Sequence, residues 1–240
     1  MTDQQFARTE LMLGAEGLRR VREAFVVVVG LGAVGGYAAE ALARCGFGKM
    51  RLIDFDTVEP SNINRQLYAL NSTVGMAKTE VAARRIADIN PACVIKPLNM
   101  FVSAENMAEV FKNKPDYIVD AIDNVVSKAA LIKAAGEAGI PIISSMGAAQ
   151  RTDPSLVRVG YIEDVCGCPL ARKVRKLLRK AGASTRMPCV YSTEEVRGTR
   201  GTPLTEFDPR RRTPIPSLPT LTGIFGLIAA GHVIKEISGV

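Results

Sequence analysis

The chain has 240 residues, 47% of them hydrophobic and 23% charged, enough for one large α/β unit with a sizeable core. Its net charge of +7 comes from the second half alone: residues 1–120 carry 14 basic and 14 acidic side chains, residues 121–240 carry 17 and 10. An odd count of five cysteines argues against a disulfide framework, and the polar opening and a longest apolar run of only 224–234, broken by glycines and His232, argue against a signal region and a membrane span.

Residues 1–24 read as a helical lead-in. Val26 to Val29 form a continuous apolar run, as a strand buried on both faces does. The helix after Gly32 runs to Arg44 and closes at Cys45-Gly46. Residues 49–53 are the second strand, ending at Asp54, and an irregular loop follows. The spacing predicts a helix over 75–90, a third strand over 92–97 and a helix over 103–112 with Ser103 as N-cap. A fourth strand, 117–123, runs out into acidic residues; a helix over 125–138 and a fifth strand over 141–145 come next. Strands alternating with helices at this spacing mean a parallel sheet with right-handed crossovers.

After Gly147 the pattern changes. Residues 156–162 alternate weakly, like an antiparallel strand. An amphipathic helix is predicted over 169–181, with Gly182 as its stop, then a strand over 189–192, a loop over 194–219 and a final helix over 221–237. The expected architecture is a Rossmann-like, doubly wound, mostly parallel sheet with an antiparallel and helical C-terminal elaboration. It is read as one domain over 1–240, with the nucleotide-binding part at about 1–147 and the basic elaboration at about 148–240. A cytoplasmic protein is expected. The basic second half suits a polyanionic partner; a solvated basic surface is the alternative. Cys45 and Cys93 read as small core residues.

The candidate chemistry lies at the predicted strand ends, where ligands of such sheets sit. Gly30, Gly32 and Gly35 form a turn that lets backbone approach phosphates at a helix N-terminus. Folds for NAD, FAD, ATP and S-adenosylmethionine share such turns. Asp54 follows Gly30 by 24 residues, the spacing of a ribose-binding acid. Asn62 and Arg65 fall in the next loop and Lys78 near the next helix start. Several cations near one strand end suit a reacting phosphate better than a nicotinamide; ordinary surface ion pairing is the other reading for Arg65 and Lys78. His232, the one histidine, falls in an apolar helix and reads as structural.

The run DFDTVEPSNINRQ at 54–66, with GLGAVGG at 30–36, GMAKTE at 75–80 and DAIDN at 120–124, resembles the E1-like adenylating superfamily. That group includes bacterial activators of ubiquitin-like sulfur carriers. The resemblance covers about residues 8–145 and, more loosely, the C-terminal helix. It implies an ATP site in which Asp54 holds the ribose and Asn62, Arg65 and Lys78 contact phosphates. Gly30, Gly32, Gly35 and Asp56 belong to the same nucleotide-binding set. Asp123 would coordinate the Mg²⁺ that bridges the triphosphate. Arg8, six residues before Gly14, looks like the arginine that members donate to the other subunit's triphosphate, which implies a homodimer. Arg65, Lys78, Asp123 and Arg8 are then the catalytic set. Ala33 departs from the glycine of many relatives, adding a methyl but leaving the N–H. The implied reaction is attack of a carboxylate on the α-phosphorus of ATP, helped by positioning and charge stabilisation.

Two CxxC pairs usually hold zinc in sulfur-carrier activators. Here Cys166-Gly-Cys168 is CxC and only Cys189 follows, so no zinc is expected. Cys189 is a candidate nucleophile by position, or a structural thiol. In the helix over 169–181, Leu170, Val174, Leu177, Leu178 and Ala181 share one face, and six cations from Arg172 to Lys180 occupy the rest. They read as phosphate-backbone contacts, as a solvated face or as a membrane-surface helix. Arg210, Arg211 and Arg212 would add to the first. The opening Arg8-Thr-Glu-Leu11, the missing zinc pairs, the segment Cys189-Val-Tyr-Ser192 and the basic insertion resemble the branch of tRNA threonylcarbamoyladenosine dehydratases. That implies activation of the threonylcarbamoyl carboxylate on adenosine 37 and its cyclisation with loss of water. The implied partners are tRNA and a second copy of the chain, with a sulfur-relay protein left open. Two other readings stand beside it: an adenylating activator of a ubiquitin-like sulfur carrier, and a non-catalytic NAD-binding regulator.

Overall fold

The computed structural model describes residues 4–196 and 215–240. Its strands are β1 (Phe25–Val29), β2 (Lys49–Asp54), β3 (Val94–Asn99), β4 (Tyr117–Asp120), β5 (Ile142–Ser145), β6 (Val157–Tyr161) and β7 (Pro188–Ser192). They form one sheet in the order β3-β2-β1-β4-β5-β7-β6. All neighbours run parallel except β6 and β7. This is the Rossmann-like sheet expected, with the antiparallel pair supplied by the second half. The helices are α1 (Ala7–Glu23), α2 (Gly35–Arg44), α3 (Lys78–Ile89), α4 (Met107–Phe111), α5 (Val125–Glu137), α6 (Pro169–Lys180) and α7 (Pro219–Ser238).

β1 explains the layering. Val26 and Val28 join a core with residues of α1, α2, α3 and α7, while Val27 and Val29 join a second core with α4, α5 and α6. All five residues of β1 are buried, so an alternating polar face has no place there. The order 3-2-1-4-5 reverses direction between β1 and β4, which opens a crevice beyond their carboxyl ends.

Several boundaries differ from expectation for local reasons. The helix predicted over 75–90 starts at Lys78, because residues 75–77 are drawn into pairing: Gly75 N–H donates to Val58 O (2.9 Å) and Val58 N–H to Met76 O (2.8 Å). The third strand lies two residues later than expected, since Cys93 N–H closes a turn on Asn90 O (3.0 Å). The helix over 103–112 is a 3-10 turn, Ala104–Asn106, running into α4. β4 stops at Asp120, whose side chain turns the chain out of the sheet.

α7 begins before the apolar run, at Pro219, and has 20 residues. It is the one described helix long and apolar enough to cross a bilayer, with mean hydropathy 1.3 over the apolar window, so the length argument does not exclude a span. Its packing is that of a core helix: Leu221, Phe225, Ala229, Ala230 and Val233 are fully buried. It lies so close to α2 that a Cβ on Gly226 would come within 2.3 Å of Val34 O. Of the loop predicted over 194–219, residues 197–214, with Arg210, Arg211 and Arg212, lie outside the described residues.

Candidate active site

A cleft of about 830 Å³ opens at the switch point. Gly30, Gly32, Asp54, Asp56, Asn62, Arg65, Lys78 and Asp123 all line it. Residues spread over 94 positions of sequence therefore meet in one crevice, drawn from strand ends, from the loop after β2 and from the start of α3.

The glycine turn is built by steric necessity. Gly30 has φ +88, and a Cβ there would lie 2.7 Å from Ala121 O. Gly35 does not line the cleft, contrary to its expected binding role. A Cβ on it would meet Gly30 O at 1.8 Å, so it serves close strand–helix packing, the usual task of the third glycine.

Asp54 is buried, yet both its oxygens are oriented by backbone. Oδ2 accepts from Leu31 N–H (2.6 Å) and Oδ1 from Asp56 N–H (2.9 Å). These bonds tie the end of β2 to the glycine turn and leave lone pairs for hydroxyl donors. Lys78 is 5% exposed and pairs with Asp56 Oδ2 at 2.9 Å. Arg65 Nη1 donates to Ser61 O (2.9 Å) and Asn64 Oδ1 (2.7 Å). Asn62 Oδ1 accepts from Glu59 N–H (3.3 Å), which closes the loop between them. Neither cation is an ordinary surface ion pair: one is buried, and the other is held by its own loop.

Asp123 is exposed to the cleft and makes no hydrogen bond or ion pair among the described residues. Arg8 is exposed on α1 and does not line the cleft.

Sequence reading missed several residues here. Phe55 and Phe101 stand edge to face at 5.0 Å on the cleft wall, 53% and 46% exposed. Arg151, 2% exposed, donates to Gly147 O (2.5 Å), Glu194 O (3.0 Å) and Gly167 O (3.3 Å) and so fixes the loop after β5. Below the cleft Lys128, Asp120 and Ser144 form a closed cluster. Only Phe55, next to Asp54, carried a usable sequence signal.

Cys189 is not at the cleft. It is fully buried in β7, and burial pushes its thiol up to about 12, a setting that suits a structural thiol rather than a nucleophile. Cys168 is buried with its Sγ accepting from Ala171 N–H (3.5 Å) as the N-cap of α6; Cys166 is exposed. In α6 Leu170, Val174, Leu177 and Leu178 share the inward face as expected, but Ala181 is exposed just beyond the helix end and Ala171 is buried in its stead, and Arg175 is not free for a partner. Its Nη1 donates to Ile162 O (2.9 Å) and to Val165 O. Lys173 reaches the cleft, and Arg172, Lys176, Arg179 and Lys180 are exposed.

A phosphate turn, a ribose-type acid and two held cations at the switch point of a doubly wound sheet define a nucleotide-binding α/β protein. The chain belongs to the ThiF family, which it matches over residues 3–240. It is 40% identical to the tRNA threonylcarbamoyladenosine dehydratase of Bacillus subtilis, over 97% of this chain and 94% of that protein. It resembles the solved structure of the Escherichia coli tRNA N6-threonylcarbamoyladenosine dehydratase in complex with ATP, with TM-score 0.89 and 34% identity, covering 98% of this chain and 94% of the other. The molybdopterin-synthase adenylyltransferase of Salmonella typhimurium is 36% identical, but over 62% of this chain and 59% of its own length.

Proposed function

We propose that this protein is an ATP-dependent tRNA threonylcarbamoyladenosine dehydratase. The observation that carries the reading is the extent of similarity. Dehydratases match through the basic second half, whereas the adenylyltransferase matches over 62% of the chain. The cleft supports it: its cations suit a triphosphate, and among the described residues no nucleophilic thiol is presented beside a base.

In this reading Asp54 accepts from the ribose hydroxyls, and the backbone at Gly30 and Gly32 approaches the phosphates. Asn62, Arg65 and Lys78 contact the phosphate chain, with Asp56 holding Lys78 in place. Asp123 fits a Mg²⁺ ligand, being an unpaired carboxylate at the phosphate end, and Mg²⁺ is commonly held by one or two carboxylates plus substrate phosphates. That ion would neutralise triphosphate charge. The threonylcarbamoyl carboxylate attacks the α-phosphorus and pyrophosphate leaves. The neighbouring carbamoyl group then attacks the acyl carbon, AMP leaves and the ring closes. Arg65 and Lys78 stabilise charge that develops on phosphate oxygens. Arg8, exposed and away from its own cleft, suits a role in the site of a second subunit of a homodimer. The exposed cations of α6 suit a tRNA backbone, and such a substrate fits a cytoplasmic enzyme.

Mass spectrometry of tRNA incubated with the protein and ATP tests the reading. Loss of one water from the threonylcarbamoyl nucleoside, with AMP formed in step, is expected. AMP formation that needs a sulfur-carrier protein and ignores tRNA would replace it with the activator reading.

A further inference from the structure

We propose that the buried Lys128–Asp120–Ser144 cluster is a positioning device for Asp123. The inference rests on the reading of Asp123 as the metal-binding carboxylate. All three side chains are 0% exposed. Lys128 Nζ donates to Asp120 Oδ2 (2.7 Å) and Ser144 Oγ (3.1 Å), and Ser144 Oγ donates to the same Asp120 oxygen (2.6 Å). The ring joins the end of β4, the first turn of α5 and the middle of β5.

A buried ion pair is weak evidence for stability, because well-packed apolar residues often serve as well or better. What the pair holds is the better explanation of it. The second oxygen of Asp120 accepts from Ile122 N–H at 3.0 Å and bends the chain out of the sheet. On the far side Asn124 Oδ1 accepts from Val126 N–H (3.0 Å) and Ser127 N–H (3.1 Å). Asp123 stands between these two anchors. The same loop is pressed on the glycine turn, since Ala121 N–H donates to Val29 O (2.8 Å) and Ala121 O leaves no room for a Cβ on Gly30. The turn has a second anchor in Asp54, whose Oδ2 accepts from Leu31 N–H (2.6 Å), so a shift of the Asp120 carboxylate would displace the acid more than the turn. Lys128 fixes that carboxylate from below without touching the cleft.

The test measures the Mg²⁺ concentration that half-saturates binding of a fluorescent ATP analogue, its affinity in EDTA, and turnover. Lys128→Met strands a charge in a dry site and risks not folding, so Asp120→Asn/Lys128→Met, which removes both charges, carries the test. It should need at least about tenfold more Mg²⁺, in line with losses on removing groups that orient metal ligands. Its EDTA affinity should stay within about twofold, by the same reasoning that the defect lies at the metal carboxylate. Lys128→Arg should recover part of the Mg²⁺ response. A folded double variant with wild-type Mg²⁺ dependence overturns the proposal, and so does failure of both Met variants to fold. Asp123→Asn separates the two layers. If it leaves the Mg²⁺ requirement unchanged, the metal reading falls; if it raises the requirement and the cluster variants do not, only the positioning inference falls.

Discussion

Arg65 and Lys78 are both oriented before any nucleotide arrives, one by Ser61 O and Asn64, the other by Asp56. Groups fixed in advance act most where charge builds up during reaction. Arg65→Ala is therefore expected to lower kcat by about 100-fold or more. Calorimetry should show ATP affinity changed by only a few-fold, roughly the worth of one exposed contact. Equal losses in both would mean that Arg65 merely binds. Cys189 gives a second residue-scale prediction. Burial keeps its thiol protonated at pH 8, so iodoacetamide on the native protein should label exposed Cys166 and spare Cys189. Peptide mapping that finds Cys189 labelled before unfolding would contradict this, and Cys189→Ala should leave turnover in place.

At the scale of elements, α6 carries exposed cations and one, Arg175, that is bound within the fold. Charge reversal at Lys176, Arg179 and Lys180 should weaken tRNA binding and flatten its salt dependence. Arg175→Ala should leave the salt slope alone and lower stability by about 1–3 kcal/mol in denaturant unfolding, having released carbonyls of the turn before α6. α7 carries a pH term. His232 is half-buried 3.1 Å from Tyr117 Oη, and burial lowers its pKa below the ordinary 6.5. The unfolded chain then binds a proton more readily, so the contribution is present above pH 6.5 and is lost as pH falls through the folded value. His232→Gln should flatten the stability profile on that acid side. The elements themselves were largely legible: the valine run, the glycine turn and the alternation of strand and helix identify the sheet and its crevice. What escaped was set by contacts distant in sequence. Met76 and Ala77 have helical propensity but pair with 57–58, Arg175 looks like its surface neighbours until its carbonyl partners appear, and nothing local marks Lys128 as the partner of Asp120 and Ser144.

For the whole molecule, two features look outward: the exposed cations of α6 and Arg8 on α1. If Arg8 completes a site across a two-fold axis, Arg8→Ala and Arg65→Ala proteins should each be nearly inactive yet rescue one another. Equal mixing with subunit exchange should restore about a quarter of wild-type turnover, since half the dimers are mixed and each holds one whole site. No rescue between exchanging subunits would remove Arg8 from the site. The close packing of Gly226 in α7 against Val34 and α2 has a consequence for how the protein comes into being. The nucleotide turn is made early in synthesis, yet the helix that seals its back face is translated much later. At about 5–20 residues per second, the first half waits on the order of ten seconds with part of its apolar surface bare. The nucleotide turn therefore gains its backing only once α7 has been made and has packed against α2.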